Sequence, residues 1–360
     1  MTKLVILGNG FDLNYDLPTS YRKHLRKILS DIDTELFNKL DKLYFNSNID
    51  YWSDFEAKIG NVEDLDFLHD KLDDELNIQL YQEDIHYYPP ESEHYGDIFS
   101  ATEDALYAAR LNRIDLEERF DNQHLEDLEK LYNFIEDSFR EMAIESDSQL
   151  TLKLQSNARQ FNFSKDDYYI TFNYTKTLEI LYPEIDNKHI CHIHGCAEDY
   201  EDLIFGNTKN NLDTGISNFV TQNPNYSRED ISDEVTSNFN EFVDAVTYSP
   251  EQLERYNNKV VETIKKINEN MVKEIQEAPL VNFLDKLNID EVLLFGLSIG
   301  EVDVPYLEKI NELFPKAKWT MSYYLSKDDD PVVRNCQKLT FSSKINFQES
   351  TFFKEFYFTD

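Results

Sequence analysis

The chain has 360 residues, and its 41% hydrophobic and 14% aromatic content predicts a globular protein with a sizeable core. Its 70 acidic residues against 35 basic ones give a formal net charge of −35. Such a surface repels phosphate backbones and anionic headgroups, so we expect no binding to nucleic acid or to a membrane surface. No segment approaches the roughly 20 apolar residues of a membrane-spanning helix.

The short apolar run near the N-terminus ends at a glycine, which predicts a strand rather than a signal peptide. The three cysteines, Cys191, Cys196 and Cys336, are odd in number and lack CxxC spacing. They predict neither a disulfide framework nor a structural zinc site. We therefore expect a reduced, cytoplasmic protein.

Strand patterns occur in three separated parts of the chain. The predicted strands are residues 3–7, 168–172, 189–193, 203–205, 291–295, 318–325 and 344–347. Leu4–Leu7 and Val292–Phe295 are unbroken apolar runs, which are typical of parallel strands covered by helices on both faces.

Between the strands, apolar residues recur at three- and four-residue steps, which predicts long helices. One helix is predicted from Ser20 to Phe45, a second from Leu116 to Ile144, and a third beginning at Ser249-Pro250. Trp52 and Phe55 are spaced as a helical core face, with Glu56 beside them as a weak site candidate.

These patterns predict an α/β fold: a Rossmann-like, mostly parallel sheet of about six strands with helices on both faces. Residues 1–20, 161–206 and 282–360 are expected to form this core. Two large helical insertions, 21–160 and 207–281, are expected to interrupt it.

Six of the nine glycines lie at or just after the end of a predicted strand: Gly8, Gly10, Gly195, Gly206, Gly296 and Gly300. Glycine allows positive φ and close approach of a ligand to the backbone. Ligands of open parallel sheets bind beyond the carboxyl ends of the strands, so we expect a ligand site along this edge. The competing interpretation is that glycines end strands in any α/β protein.

The first candidate motif is Gly8-Asn9-Gly10-Phe11-Asp12. A strand that ends in GxG can direct backbone N–H groups at a pyrophosphate, and the start of the following helix adds positive charge. The third glycine of the dehydrogenase fingerprint is missing, so a purely structural turn is the alternative. A carboxylate would repel a phosphate, so Asp12 is expected to meet ribose or nicotinamide, with the phosphates on the backbone of Gly8 to Gly10.

Two further turns follow predicted strands. Asn173 offers both a donor and an acceptor, which suits a carboxamide, a ribose hydroxyl or a water. The alternative is that Asn173 caps the next helix. The small residues Gly296 and Ser298 suit a phosphate or a ribose, and a plain strand-to-helix turn is the alternative there.

Three of the eight histidines lie in the segment His189 to Gly195. On a strand, His192 and His194 would point to the same face. His194, at the strand end beside Gly195, is the candidate general base, whereas His192 is expected to be a buried, hydrogen-bonded residue. A metal site formed by His192, His194 and Cys196 is the rival interpretation.

In chain order, these segments resemble the sirtuin-like NAD-binding domains. GNGFDLNYDLP aligns with the sirtuin opening, TFNYT with the TxN segment, His194-Gly195 with the HG pair, and Gly296 and Ser298 with the GTS-type turn. Two positions depart from the pattern, since Asp12 replaces a Ser and Thr175 replaces an Asp. The four-cysteine zinc module of protein deacylases is absent from the sequence, which argues against an acyl-lysine substrate.

The fuller set of GNGFD, LPTSY, WxxFE, TFNYTxTLE, HIHG and FGxS resembles the AbiH family of bacterial abortive-infection proteins. This resemblance implies defence against bacteriophage, with NAD as substrate or ligand. It implies cofactor contacts at Gly8, Gly10, Asp12 and Ser298, with Asn9, Phe11, Gly195 and Gly296 completing the cofactor-binding set. Asn173 would orient the nicotinamide ribose or the attacking water, and His194 would act on a ribose hydroxyl or on water.

The leading hypothesis is an NAD glycohydrolase that cleaves the nicotinamide–ribose bond, with Asn173 and His194 as catalytic residues and no metal. One alternative is a non-catalytic NAD or nucleotide sensor that signals through its helical insertions. The other is a metal-dependent hydrolase that uses the HICHIHGC cluster. The expected partner is a small-molecule nucleotide, and the sequence leaves open a homo-oligomer and a phage protein as trigger.

Overall fold

A computed structural model describes residues 2–62, 127–153, 161–199, 202–207, 250–273, 275–327 and 330–351. Within them, the strands are β1 (Lys3–Leu7), β2 (Tyr168–Thr171), β3 (Ile190–His192), β4 (Glu291–Phe295), β5 (Lys318–Tyr323) and β6 (Ile345–Glu349). All five neighbouring pairs are parallel, in one sheet of order β3-β2-β1-β4-β5-β6. The prediction of a Rossmann-like parallel sheet of six strands is confirmed.

This strand order is that of the dinucleotide-binding fold. The chain winds outward from β1 in both directions, so the order reverses between β1 and β4. In such sheets, ligands bind in the crevice beyond the carboxyl ends of the two strands at this switch point. The loops that begin at Gly8 and Gly296 follow these two strands.

The central strands β1 and β4 are covered on both faces, as their apolar runs predict. They pair in register from Lys3 opposite Glu291 to Leu7 opposite Phe295. Leu4, Ile6 and Leu294 pack into the hydrophobic cluster on one side of the sheet. Residues between them along the strands, such as Val5 and Leu7, pack into the cluster on the other side.

The predicted strand at Leu203–Phe205 is wrong. These residues pair with no strand of the described sheet, because the Leu203 and Phe205 side chains pack into the helical core instead. Gly206 therefore does not end a strand. It has φ +128, and a Cβ there would lie 2.0 Å from the Met271 carbonyl oxygen, so glycine allows two backbones to approach closely.

The α-helices in the described residues are Asn9–Leu13, Arg26–Ile32, Thr34–Leu40, Phe55–Lys58, 127–153, Thr177–Leu181, Pro250–Asn270, Glu277–Leu284, Val304–Leu313 and Pro331–Asn335. Shorter helical turns are Tyr21–Leu25, Asp41–Phe45, Tyr51–Asp54, Asn187–His189, Ala197–Asp199, Cys336–Lys338 and Ser342–Lys344. No helix that the structure describes is long and apolar enough to cross a membrane.

The helix predicted from Ser20 to Phe45 is interrupted at Asp33. Asp33 has an extended backbone (φ −151), and its carboxylate accepts hydrogen bonds from the N–H groups of Glu35 and Leu36, which starts a new helix. The second predicted helix is confirmed over 127–144 and continues to 153, whereas its first part lies outside the described residues. Ser249 also lies outside them, and the third helix is described from Pro250.

A second hydrophobic core lies in the helical segments and draws on both predicted insertions. Trp52 is fully buried in it and stacks on Phe45 at 4.2 Å, and Ile264 of the long helix belongs to the same core. The packing role predicted for Trp52 and Phe55 is thus confirmed. Tyr174, three residues beyond β2, belongs to the same cluster, so this helical core meets the carboxyl end of the sheet.

Candidate functional site

The loops that follow β1 and β4 are bound to each other. The Gly8 N–H donates to the Phe295 carbonyl at 3.0 Å, and the Gly10 N–H donates to the Gly296 carbonyl at 2.8 Å. A Cβ on Gly10 would lie 2.6 Å from the Gly296 Cα, and Gly296 itself has φ +72. Glycine is therefore required where these two backbones meet.

This contact gives the glycines of the first motif a structural role. The N–H groups of Gly8 and Gly10 donate within the protein, and the predicted cofactor contacts of this motif stay a prediction. The Phe11 side chain is 1% exposed and packs in the core, 5.6 Å from the Phe161 ring. The Asn9 amide donates to the Thr19 carbonyl at 2.9 Å.

Asp12 is a buried carboxyl group at the same edge. One carboxylate oxygen, Oδ2, accepts a hydrogen bond from the Thr175 hydroxyl at 2.8 Å. The other, Oδ1, has no hydrogen-bond partner among the described residues. Burial raises the pKa of Asp12 to about 6, and the hydrogen bond from Thr175 opposes that rise. The group therefore changes charge near neutral pH.

Asn173 joins the loop after β2 to the loop after β1. Its side chain is buried, and Nδ2 donates to the Gly8 carbonyl at 3.1 Å. The alternative that Asn173 caps the next helix is wrong, because that helix begins at Thr177 and the N–H of Lys176 just before it donates to Asp147. Asn173 lies instead beside Asp12, with which it also interacts.

His194 lies just beyond β3, where the chain turns at Gly195 with φ +83. The ring is 2% exposed and meets the Phe172 ring edge-on at 4.9 Å. Its Nδ1 is 3.2 Å from the Lys273 Nζ, while Nε2 has no hydrogen-bond partner in the described part of the chain. Burial and the Lys273 charge hold the pKa of His194 well below its ordinary value and outweigh the opposite effect of the Phe172 carbonyl, so the ring is neutral.

Two residues of the helical segments complete the surroundings of His194. Lys273 follows the long helix Pro250–Asn270, and its side chain is 1% exposed. Its Nζ is 3.3 Å from the Glu56 Oε1. Glu56, a weak candidate in the WxxFE pattern, thus belongs to the site, whereas Lys273 lies in no motif that could have indicated it.

Tyr21 is partly buried against the helical core. Burial contributes most to raising the pKa of its hydroxyl, and the charges of Glu56, Asp303 and Asp12 raise it further. Asp303 accepts a hydrogen bond from the Gly300 N–H at 2.8 Å, and burial and Glu56 raise its pKa to about 7. Tyr21 lies in the LPTSY motif and Asp303 at the end of FGLSIGEVD, but the sequence pattern predicted neither as a site residue.

The expectation that His192 and His194 share one face is wrong, because β3 ends at His192 and the alternation stops there. His192 Nε2 lies 2.6 Å from the Glu179 carboxylate, on the face of the sheet opposite His194. Burial raises the pKa of Cys196 to about 12, so it stays a thiol. Among the residues described, no three His, Cys, Asp or Glu side chains come together as metal ligands.

The turn after β4 contains a strained residue. Ile299 is fully buried with φ +57, a left-handed conformation that is costly for a β-branched side chain. Ser298 before it is exposed, and its carbonyl accepts a hydrogen bond from Asn335 at 2.9 Å. The predicted cofactor contact of Ser298 stays a prediction.

The strand order and the buried polar groups on both sides of the switch point define an α/β protein of the dinucleotide-binding architecture, with a candidate site at the carboxyl edge. The family model described as "Bacteriophage abortive infection AbiH" matches residues 4–323, so the chain belongs to the AbiH family. Its role is accordingly in abortive-infection defence against bacteriophage. No curated protein and no solved structure matches the chain.

Proposed function

We propose that this protein is an abortive-infection effector that hydrolyses NAD at the bond between nicotinamide and ribose. The observation that carries the proposal is the pair of buried polar atoms without partners among the described residues, Asp12 Oδ1 and His194 Nε2. Such atoms cost free energy unless a ligand or a water completes their hydrogen bonds. Asp12 lies in the short helix that follows β1, and His194 lies in the turn that follows β3, both at the carboxyl edge of the sheet.

The reaction would convert NAD⁺ and water into nicotinamide, ADP-ribose and a proton. The bond between ribose C1′ and the pyridinium nitrogen breaks, and its electron pair neutralises the nitrogen. The water oxygen then bonds to C1′ and releases a proton. Because the transition state resembles an oxocarbenium ion, the protein must hold the ribose and the water in place and stabilise positive charge.

The site residues are suited to these tasks. Asn173 would orient the ribose or the attacking water, and His194 would contact a ribose hydroxyl or the water. The Asp12 carboxylate would lie near the developing positive charge and could take up the released proton, since its pKa is about 6. Because the Gly8 and Gly10 N–H groups are occupied, the phosphates would fall to the turns at Gly195 and Ser298.

A non-catalytic NAD sensor is the second candidate, and one observation favours it. Asn173 and His194 are 7% and 2% exposed, and the glycine turns at β1 and β4 are bound to each other, so the site is closed to solvent. A closed site suits a protein that changes conformation when a nucleotide binds.

The test is release of nicotinamide from NAD by the purified protein, with and without EDTA. We expect release to fall by about 10²-fold or more in Asn173→Ala and in His194→Ala. Two matched controls keep activity: Gln149→Ala removes an amide that bonds the Glu145 carboxylate, and His189→Ala removes a histidine whose Nδ1 lies near the Lys165 carbonyl.

Release that survives both site substitutions would overturn the site assignment. Loss of activity with EDTA would favour metal-dependent hydrolysis, and NAD binding without release would favour the sensor. If the enzyme needs a phage trigger, the purified protein would be inactive. NAD is therefore also measured in phage-infected cells that express either the wild-type protein or Asn173→Ala. NAD levels that stay equal in the two cultures would contradict the proposal.

A further inference from the structure

The contact between Lys273 and His194 defines which ring nitrogen carries the proton. An ammonium group has three N–H donors and no acceptor. Lys273 Nζ lies 3.2 Å from His194 Nδ1 and 3.3 Å from Glu56 Oε1, so an ammonium group there donates to both. Nδ1 must then accept, so the proton of a neutral ring is on Nε2.

We propose that Lys273 is a positioning residue for His194: it keeps the ring neutral with its proton on Nε2, so His194 donates a hydrogen bond to the substrate. This inference rests on the proposed NAD hydrolysis for its substrate, and it replaces the expected general base with a hydrogen-bond donor. The acceptor would be an oxygen of the nicotinamide ribose or of the attacking water.

The aromatic surroundings of His194 support this role. Phe172 and Tyr306 meet the ring edge-on, at 4.9 Å and 5.7 Å between ring centres, and fix its plane. With Nδ1 engaged by Lys273, ring rotation would cost that hydrogen bond. Nε2, which has no partner in the described residues, is then the nitrogen that remains for a ligand.

Glu56 secures Lys273 from the helical core. Trp52 and Phe55 are fully buried in that core, which anchors the short helix Phe55–Lys58 that carries Glu56. Lys273 comes from the other predicted insertion, after the long helix. The two helical segments thus supply the polar groups that determine which nitrogen of His194, just beyond β3, carries the proton.

The first test is ¹⁵N NMR of the protein labelled at histidine, without NAD, with His194 assigned by its loss in His194→Gln. We expect His194 nitrogen shifts of a neutral ring with Nε2–H, and a redistribution of the proton between both nitrogens in Lys273→Met. Lys39→Met is the matched control, because Lys39 is also buried and paired with Asp127 but does not contact His194.

The second test is kinetic. In Lys273→Met, kcat for nicotinamide release is expected to fall by about 10²-fold with little change in KM. In Glu56→Gln, kcat is expected to fall less, because the amide oxygen of the new side chain still accepts a hydrogen bond from Lys273. A wild-type His194 protonated on Nδ1, or a His194 spectrum that is unchanged in Lys273→Met, would overturn the inference. If Lys273→Met does not fold, the wild-type spectrum decides, because the inference requires Nε2–H there. Because these spectra need no NAD, they distinguish a failure of this inference from a failure of the proposed activity.

Discussion

The Asp12 carboxylate accepts a hydrogen bond from the Thr175 hydroxyl at 2.8 Å, which joins the loop after β1 to the loop after β2. In the sirtuin-like pattern that the sequence resembles, a Ser stands at the first of these positions and an Asp at the second. In this chain the carboxyl group is at position 12 and the hydroxyl group at position 175, and the two are hydrogen-bonded. The departure at Thr175 therefore does not remove a carboxyl group from this edge of the sheet.

We expect Asp12→Asn to stabilise the protein more at neutral pH than in acid. The ordinary pKa of an aspartate is 3.8, and burial raises that of Asp12 to about 6, so folding favours its protonated form. The stability that Asp12 contributes is fully present below the unfolded pKa and is lost as the pH rises through the folded pKa. The complete shift corresponds to about 3 kcal/mol.

The measurement is the free energy of unfolding in denaturant at about pH 5 and about pH 7.5. The gain of Asp12→Asn over wild type should be larger at the higher pH by about 1 kcal/mol. Asp31→Asn, which changes an exposed carboxylate, should show no such pH-dependent difference. A gain that is equal at both pH values would contradict the raised pKa of Asp12.

Gly10→Ala should destabilise the fold, because the added Cβ would lie 2.6 Å from the Gly296 Cα and backbone atoms cannot yield as a flexible side chain can. We expect a loss of about 2 kcal/mol or more, measured as a lower midpoint of thermal unfolding. In Gly300→Ala the nearest atoms would be 3.5 Å away, so this control should change stability by less than about 0.5 kcal/mol. Equal effects of the two substitutions would refute the close contact of the loops.

The sheet could be predicted because its signals are local. The unbroken apolar runs at Leu4–Leu7 and Val292–Phe295 indicate buried parallel strands, and a glycine follows each run. The partners of those glycine N–H groups could not be predicted, since Gly8 bonds Phe295 across nearly the whole chain. The sequence pattern of a GxG turn is the same whether its N–H groups face a phosphate or another loop.

In the candidate site too, only the residues that stand in local motifs could be predicted. Asn173 and His194 stand in local motifs, whereas the contact of His194 with Lys273 depends on how a helical segment packs over the sheet. No pattern around Lys273 distinguishes it from the many solvated lysines of the helices. The Leu203–Phe205 prediction failed for a related reason, because a short apolar segment can bury its side chains against helices as well as in a sheet.

Asp33→Ala should destabilise the helix Thr34–Leu40 by about 1 kcal/mol, because the Asp33 carboxylate accepts from two N–H groups at its start. Apolar spacing alone predicted one continuous helix here, and the capping residue explains the interruption. Chemical denaturation measures the loss. Asp31→Ala is the control, since its carboxylate lies 3.9 Å from the exposed Lys27 amine, and it should have little effect. A loss no larger in Asp33→Ala than in Asp31→Ala would count against the cap.

Glu179→Gln should lower the pKa of His192. Burial acts to lower that pKa, but the Glu179 carboxylate at 2.6 Å from Nε2 outweighs it, so His192 titrates above its ordinary value of 6.5. Without the charge of Glu179 the burial remains, and the NMR titration midpoint of His192 should fall. Asp186→Asn is the control, because Asp186 pairs with Lys188 and not with His192.

The same pair gives a stability prediction with a defined sign. A histidine with a raised pKa contributes stability that is fully present below the unfolded value of 6.5 and is lost as the pH rises through the folded pKa. Glu179→Gln should therefore cost about 1 kcal/mol near pH 6 and less near pH 8.5. A cost that is equal at the two pH values would mean that Glu179 stabilises the loop by packing rather than by its charge on His192.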